Sequence, residues 1–135
     1  MVCIYCSGDT QIINSRLQKR PNQVWRRRKC LECGATFTTH ELAAYEGSWR
    51  VKSSSGSLQP FNKNKLFLSL YKSLGHREHA LEDATALTDT IMSKLPSKTQ
   101  NGLITAPDIT KATHEVLKRF DTPAAVHYAA FHPKS

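Results

Sequence analysis

Apolar side chains fall into two regimes along the chain. In residues 1–46 large apolar residues are few and scattered among polar ones. From about residue 62 they recur every three or four positions, the spacing of one helix face. In the first regime "TQIINSRL" and "QVWRRRK" read as extended segments joined by a turn at Pro21-Asn22, and the Thr/Phe-rich "ATFTTH" reads as a third strand. "AAYEGSW" is a junction. "WRVKSSSGSLQPF" then predicts two short strands around a Ser/Gly turn.

Three amphipathic stripes and a short terminal helix follow. Leu66, Phe67, Leu70, Tyr71 and Leu74 mark the first, with Asn62 as N-cap and Gly75 at its stop. Leu81, Ala84, Leu87, Ile91 and Leu95 mark the second, from about His79 until Pro96 ends it. "SKTQNG" reads as a loop. Thr105-x-x-Asp108 resembles a capping box, with Pro107 in the first turn. It opens the third stripe, Ile109, Ala112, Val116, Leu117 and Phe120. Thr122-Pro123 starts the last helix, "PAAVHYAAFH". The pattern predicts an α+β protein of two units, 1–46 mostly β and 47–135 mainly helical behind a short β-hairpin.

The first unit has too few large apolar residues to bury the surface that folding requires, so it needs a staple. All four cysteines of the chain lie in it, as Cys3-x-x-Cys6 and Cys30-x-x-Cys33. No basic and apolar leader opens the chain and no apolar run approaches a membrane span, so a cytoplasmic protein with reduced thiols is expected. Two Cys-x-x-Cys turns brought together form a tetrahedral four-sulfur site, which suits one structural Zn2+ with no open coordination position. Unliganded thiols, an iron–sulfur cluster and a redox dithiol are the alternatives. Gly8 and Gly34, just past each pair, suit a tight knuckle that needs positive φ.

Charge sharpens the picture. The net charge is +8, and residues 1–40 hold seven Lys/Arg against Asp9 and Glu32. Arg26, Arg27, Arg28 and Lys29 run directly into Cys30, and Arg16, Lys19 and Arg20 lie on the partner segment. One reading is local: zinc with four thiolates carries −2, which nearby cations offset. The other is a polyanion surface, since the arginine fork matches phosphate and Trp25 offers a ring for stacking on an arginine or a base. In a strand Arg26 and Arg28 face one way and Arg27 and Lys29 the other. Two or three phosphate contacts and one or two base contacts are therefore expected.

No Ser/His/Asp or Cys/His catalytic set is visible, Asp83 and Asp89 lack the partners of a two-carboxylate site, and 135 residues leave no room for a further catalytic domain. His76 with His79, and His127 with His132, read as exposed helix-end histidines rather than a second metal site. Lys52, Lys63 and Lys65 gather around a strand–turn–helix junction, a ready anion site or simply a solvated first turn. Phe61 suits the core by periodicity, with stacking on a base as the alternative. "SSSGS" lacks the Gly-Lys-Ser/Thr ending of a P-loop.

The segments "CIYC", "NSR", "RRRKCLECGATFTTHE", "VKSSSGSLQPFNKNKL" and "AVHYAAF" together resemble the NrdR family, bacterial repressors of ribonucleotide reductase genes, over nearly the whole chain. The resemblance implies a zinc ribbon followed by an ATP-cone, and no enzyme activity. It implies zinc ligands Cys3, Cys6, Cys30 and Cys33, DNA-facing Arg16, Arg26, Arg27 and Arg28 with the adjoining Lys29, and nucleotide-site residues Val51, Lys52, Gln59, Phe61 and Lys65. It further implies double-stranded operator DNA upstream of reductase genes as partner, ATP and dATP as effectors, and a homo-oligomer reset by the bound nucleotide.

Departures from the family pattern are local. Asn14 stands where Asp is usual, and His127 where Arg is common. An ungapped alignment on Gly56 puts Ser53 and Ser54 at a usual Lys-Arg pair, while alignment on Val51-Lys52 adds one residue to the turn. Both weaken the expected phosphate grip. A nucleotide-blind module binding nucleic acid or protein through its ribbon is thus the competing expectation.

Overall fold

The computed structural model describes residues 1–133. The expected second unit's last two positions, 134–135, lie outside them. The chain divides into two compact units, residues 1–43 and residues from Ala44 onward.

The first unit is an antiparallel sheet of β1 (Thr10–Gln18), β2 (Gln23–Cys30) and β3 (Thr36–Leu42), in that order. The three extended stretches read from sequence are these strands. The Arg20–Pro21 peptide in the β1–β2 turn is cis. Pairing runs Thr10↔Cys30 to Ile12↔Arg28, then shifts by one residue so that Asn14 faces Arg27 and Arg16 faces Trp25. Ile13 is the extra residue of this β-bulge. The unit's buried cluster is only Cys3, Cys30 and Phe37.

The second unit begins with a one-turn helix, α1 (Tyr45–Ser48), in the stretch expected to be a plain junction. Tyr45 and Trp49 pack against the second unit's core, and both rings touch Phe61. The expected hairpin is β4 (Arg50–Lys52) paired with β5 (Leu58–Pro60). A third strand, β6 (Leu103–Thr105), lies parallel to β4 on its other side. Its three residues follow a turn with positive φ at Asn101 and Gly102, too short a run to show alternation in the sequence.

Four helices build the remainder: α2 (Lys63–Ser73), α3 (Ala80–Lys94), α4 (Ala106–Phe120) and α5 (Thr122–Phe131), with a 3-10 turn at Pro96–Lys98. Side chains cap the N-termini of α2, α4 and α5. Asn62 Oδ1 accepts from the Asn64 and Lys65 N–H groups at 2.9 and 3.4 Å. Thr105 Oγ1 accepts from the Asp108 N–H at 3.2 Å, and Asp121 Oδ1 from that of Ala124 at 2.9 Å. Such caps contribute about 1 kcal/mol each.

The core is centred on Leu70, Leu74, Ile91, Leu95, Ile104 and Leu117. Three expected stripe residues are not in it: Tyr71, Leu81 and Phe120 are exposed. Tyr71 stacks on Phe67, and Phe120 carries the Arg77 guanidinium at 4.5 Å from its ring centroid. Leu81 sits in the first turn of α3, ahead of the buried seam Ala84–Thr88–Ile91–Leu95. Thr88 enters that seam because its hydroxyl donates to the Ala84 carbonyl at 2.7 Å, which leaves its methyl free to pack.

Candidate functional site: a four-cysteine ribbon and a cone cavity

The two Cys-x-x-Cys turns meet face to face. Cys3 Sγ lies 3.7 Å from Cys33 Sγ, Cys6 Sγ lies 3.5 Å from Cys30 Sγ, and all four sulfurs are within 4.8 Å of one another. A zinc tetrahedron with Zn–S bonds of about 2.3 Å has S···S edges of about 3.8 Å, so the cage fits the ion as built. Among the described residues this is the one gathered set of metal-ligating side chains. The knuckles match in backbone as well: Cys3 N–H donates to Gly8 O and Cys30 N–H to Ala35 O, both at 2.8 Å.

Positive φ falls on Gly34 (+72°) as expected, but in the first knuckle on Ser7 (+64°) rather than Gly8. The left-handed residue is the one directly after the second cysteine, and in the first pair that residue is a serine.

Backbone N–H groups aim at the sulfurs. Tyr5 N–H points to Cys3 Sγ, and those of Glu32 and Cys33 to Cys30 Sγ, each at 3.4 Å. The Cys33 and Glu32 amides hold the Cys30 thiol down to about 6. At Cys6 the Gly8 amide also favours the thiolate, yet the surrounding Cys30 and Cys33 sulfurs outweigh it and push that thiol up to about 12. Four sulfurs this close cannot all be anionic without a cation between them, and a divalent metal supplies it.

Strand alternation divides the basic run, as expected. Arg26 and Arg28 lie on the face that carries Phe37. Arg26 Nη1 pairs with Glu41 Oε2, Arg28 Nη1 donates to Thr10 Oγ1 at 3.2 Å, and the Nε atoms of both are buried. Trp25, Arg27 and Lys29 take the other face. Arg27 donates to Thr38 Oγ1 at 3.0 Å and Thr36 Oγ1 at 2.7 Å. Arg16 joins this face and lies 5.8 Å from the Trp25 ring centroid.

In the second unit a cavity of about 190 Å³ opens between the small sheet and helices α2, α4 and α5. Val51, Gln59, Phe61 and Lys65 all line it, so four of the five nucleotide candidates converge. Phe61 is 2% exposed and packs edge-on to Trp49, which makes it both core ring and cavity wall. Lys52 is not in the lining, because it follows Val51 on the strand and alternation turns it to the opposite face of β4. Lys63 points to Asp89 at 3.4 Å instead. Ser53 Oγ turns back to Ser55 and Ser57 at 2.9 and 2.7 Å.

Sequence patterning missed the far wall: Ser69, Ile109, Tyr128 and His132. Tyr128 is buried, stacks on His132 at 4.1 Å, and has its phenol pushed up by that burial. Only the helix packing brings α5 over β4 and β5, and no periodicity announces that.

A four-cysteine ribbon followed by a separate α+β unit defines a class of two-unit, metal-stapled proteins. Residues 1–41 match the family described as transcriptional repressor NrdR-like, N-terminal domain, and residues 50–131 match the ATP cone domain. The chain belongs to the ATP-cone family, and its ribbon-then-cone order is the NrdR architecture, that of a transcriptional repressor family rather than of enzymes. Zinc binding belongs to the ribbon, and nucleotide effector binding to the cone. Among the described residues no helix is long and apolar enough to cross a membrane.

Proposed function

We propose that this chain is a nucleotide-responsive repressor that binds double-stranded operator DNA upstream of ribonucleotide reductase genes. The ribbon, residues 1–46, is the DNA-binding domain. The cone, residues 47–135, senses ATP or dATP and carries the contacts of a homo-oligomer. The observation that carries this reading is the Arg-rich strand β2, which ends on a metal ligand, Cys30. Zinc thereby fixes the register of β2, and cations in fixed register are what a regular phosphate array rewards. Arg16 adds to them from β1. Val51, Gln59, Phe61 and Lys65 hold the nucleotide.

Linkage supplies the logic of regulation, because an effector resets DNA binding only as far as it prefers one assembly over another. Fluorescence anisotropy on a reductase promoter fragment and on random duplex, each with ATP, dATP or no nucleotide, tests it. The expected result is promoter preference that differs among the three states. Equal binding of promoter and random DNA in all three overturns it.

One observation favours a second reading. Among the described residues Lys65 is the one lysine or arginine lining the cavity, and Ser53 is hydrogen-bonded within its own turn. A nucleotide-blind cone would follow, leaving a ribbon module that binds nucleic acid or protein. Calorimetry of the zinc-loaded protein with ATP and dATP decides, since saturable micromolar binding excludes this reading.

A further inference from the structure

We infer that the ribbon reads DNA with one face of its sheet only, the face carrying Asn14, Arg16, Trp25, Arg27 and Lys29, laid into the major groove. On this face Asn14 and Arg27 read base edges, while Arg16 and Lys29 grip phosphate. Arg26 and Arg28, for all their place in the basic run, brace the ribbon from behind. This rests on the DNA-binding reading above and goes past it by dividing the cations into roles.

The pairing register lays the face out as three rows. They are Gln11–Lys29–Thr36, Asn14–Arg27–Thr38 and Arg16–Trp25–His40. None of these nine side chains is acidic. The acid of this sheet, Glu41, sits on the opposite face and pairs with Arg26. The bulge at Ile13 matters most. With uninterrupted pairing Asn14 and Arg16 would stand opposite Arg26 and Val24, on the braced face; the extra residue turns both toward Arg27 and Trp25.

Dimensions and preorganisation agree. Adjacent strands lie about 4.8 Å apart, so the outer strands of the face are separated by about 10 Å, against a major groove about 12 Å wide. Two threonine hydroxyls hold the Arg27 guanidinium at the centre of the grid, and its remaining N–H groups still offer a two-pronged donor set. Such a fork matches guanine O6 and N7, and an asparagine amide matches adenine N6 and N7. Arg16, steadied over the Trp25 ring, stands at an outer-strand corner of the grid, and Lys29 on the central strand at its opposite end, both outside the Asn14–Arg27 row. A-form RNA closes its major groove to side chains, so the face suits duplex DNA.

The test uses the full zinc-loaded chain and a random duplex library. Wild type should select a motif, and dimethyl sulfate footprinting should show its guanine N7 atoms protected. Arg27→Lys, which keeps the charge, and Asn14→Ala should each relax the motif at its own position, by about 5- to 150-fold in discrimination. Lys29→Ala and Arg16→Ala should weaken all sequences alike and lower the log–log salt slope by about 0.9 each. Arg26→Gln and Arg28→Gln should leave the motif intact. Zinc content and far-UV circular dichroism identify variants that fail to fold, and the wild-type footprint stands without any variant. A wild-type motif with unprotected N7 atoms, or one relaxed by Arg26→Gln or Arg28→Gln but not by Arg27→Lys or Asn14→Ala, overturns this division while sparing DNA binding. A wild type that selects no motif, or prefers RNA duplex, overturns both readings.

Discussion

Removing the metal should melt residues 1–43 and leave the rest of the fold standing. The first unit's buried hydrophobic cluster is only Cys3, Cys30 and Phe37. Full burial of one phenylalanine contributes about 1.5–3 kcal/mol. Ordering each backbone residue costs about 1–2 kcal/mol, so that ring offsets the ordering of two or three residues and no more. A four-thiolate zinc contributes about 10–16 kcal/mol on the scale of zinc-finger peptides, several times the apolar term. The second unit buries a contiguous sixteen-residue cluster that includes no cysteine. Hydrogen exchange read by mass spectrometry, on reduced protein with and without a zinc chelator, resolves the two. Amides of β1, β2 and β3 should lose protection on chelation and regain it when zinc returns. Those of α2 through α5 should be unchanged. Protection that survives over Gln23–Cys30 in metal-free, reduced protein would refute the reasoning, and so would collapse of both units together.

Further outcomes follow from single groups. Asp121 caps α5 and receives Arg77 at 2.9 Å and His76 at 3.1 Å, so Asp121→Ala should cost about 2–3 kcal/mol in chemical denaturation, and Asp121→Asn, which keeps the cap, about half that. The Ala124 amide, against the opposing effect of burial, and then Arg77 and His76 hold the Asp121 carboxyl down to about 2 from an ordinary 3.8. Its contribution is therefore complete above about pH 4 and lost as pH falls toward 2, and the Asn variant should show a shallower acid transition over that window. In the knuckles, Gly34→Ala should lower stability by about 1 kcal/mol and Ser7→Gly raise it by about 0.5–1, because each changes a left-handed residue in the opposite sense; zinc-competition titration checks both. Leu70→Ala, at a fully buried position, should cost about 2–5 kcal/mol in the second unit's unfolding and leave zinc affinity unchanged. Lys65→Ala should weaken ATP binding by calorimetry at least tenfold while the thermal midpoint moves little, since Lys65 lines the cavity at the exposed start of α2.

The elements carried by local chemistry were legible in the residues. Cysteine spacing declared the metal cage because two Cys-x-x-Cys turns have few other uses. Asn62 and Thr105 declared helix starts because their side chains bond amides two or three residues away. The helical seams through Leu70, Ile91 and Leu117 followed from periodicity. What escaped was everything decided between distant segments. β6 is three residues long and exists because β4 offers it an edge. Tyr45 and Trp49 lie in an apparent junction and become core only because Phe61 returns to meet them. The cavity's far wall comes from α5, whose apolar residues show no preferred face in sequence.

The basic run shows the same boundary most plainly. The sequence alone determined that Arg26 and Arg28 oppose Arg27 and Lys29, since alternation along one strand needs no partner. It could not determine where Asn14 and Arg16 point. Their orientation depends on the Ile13 bulge, which is a property of the pairing between β1 and β2 rather than of either strand. A slip of one residue flips every side chain beyond it to the other face. The tertiary register, not the composition of the run, therefore decides which cations act together.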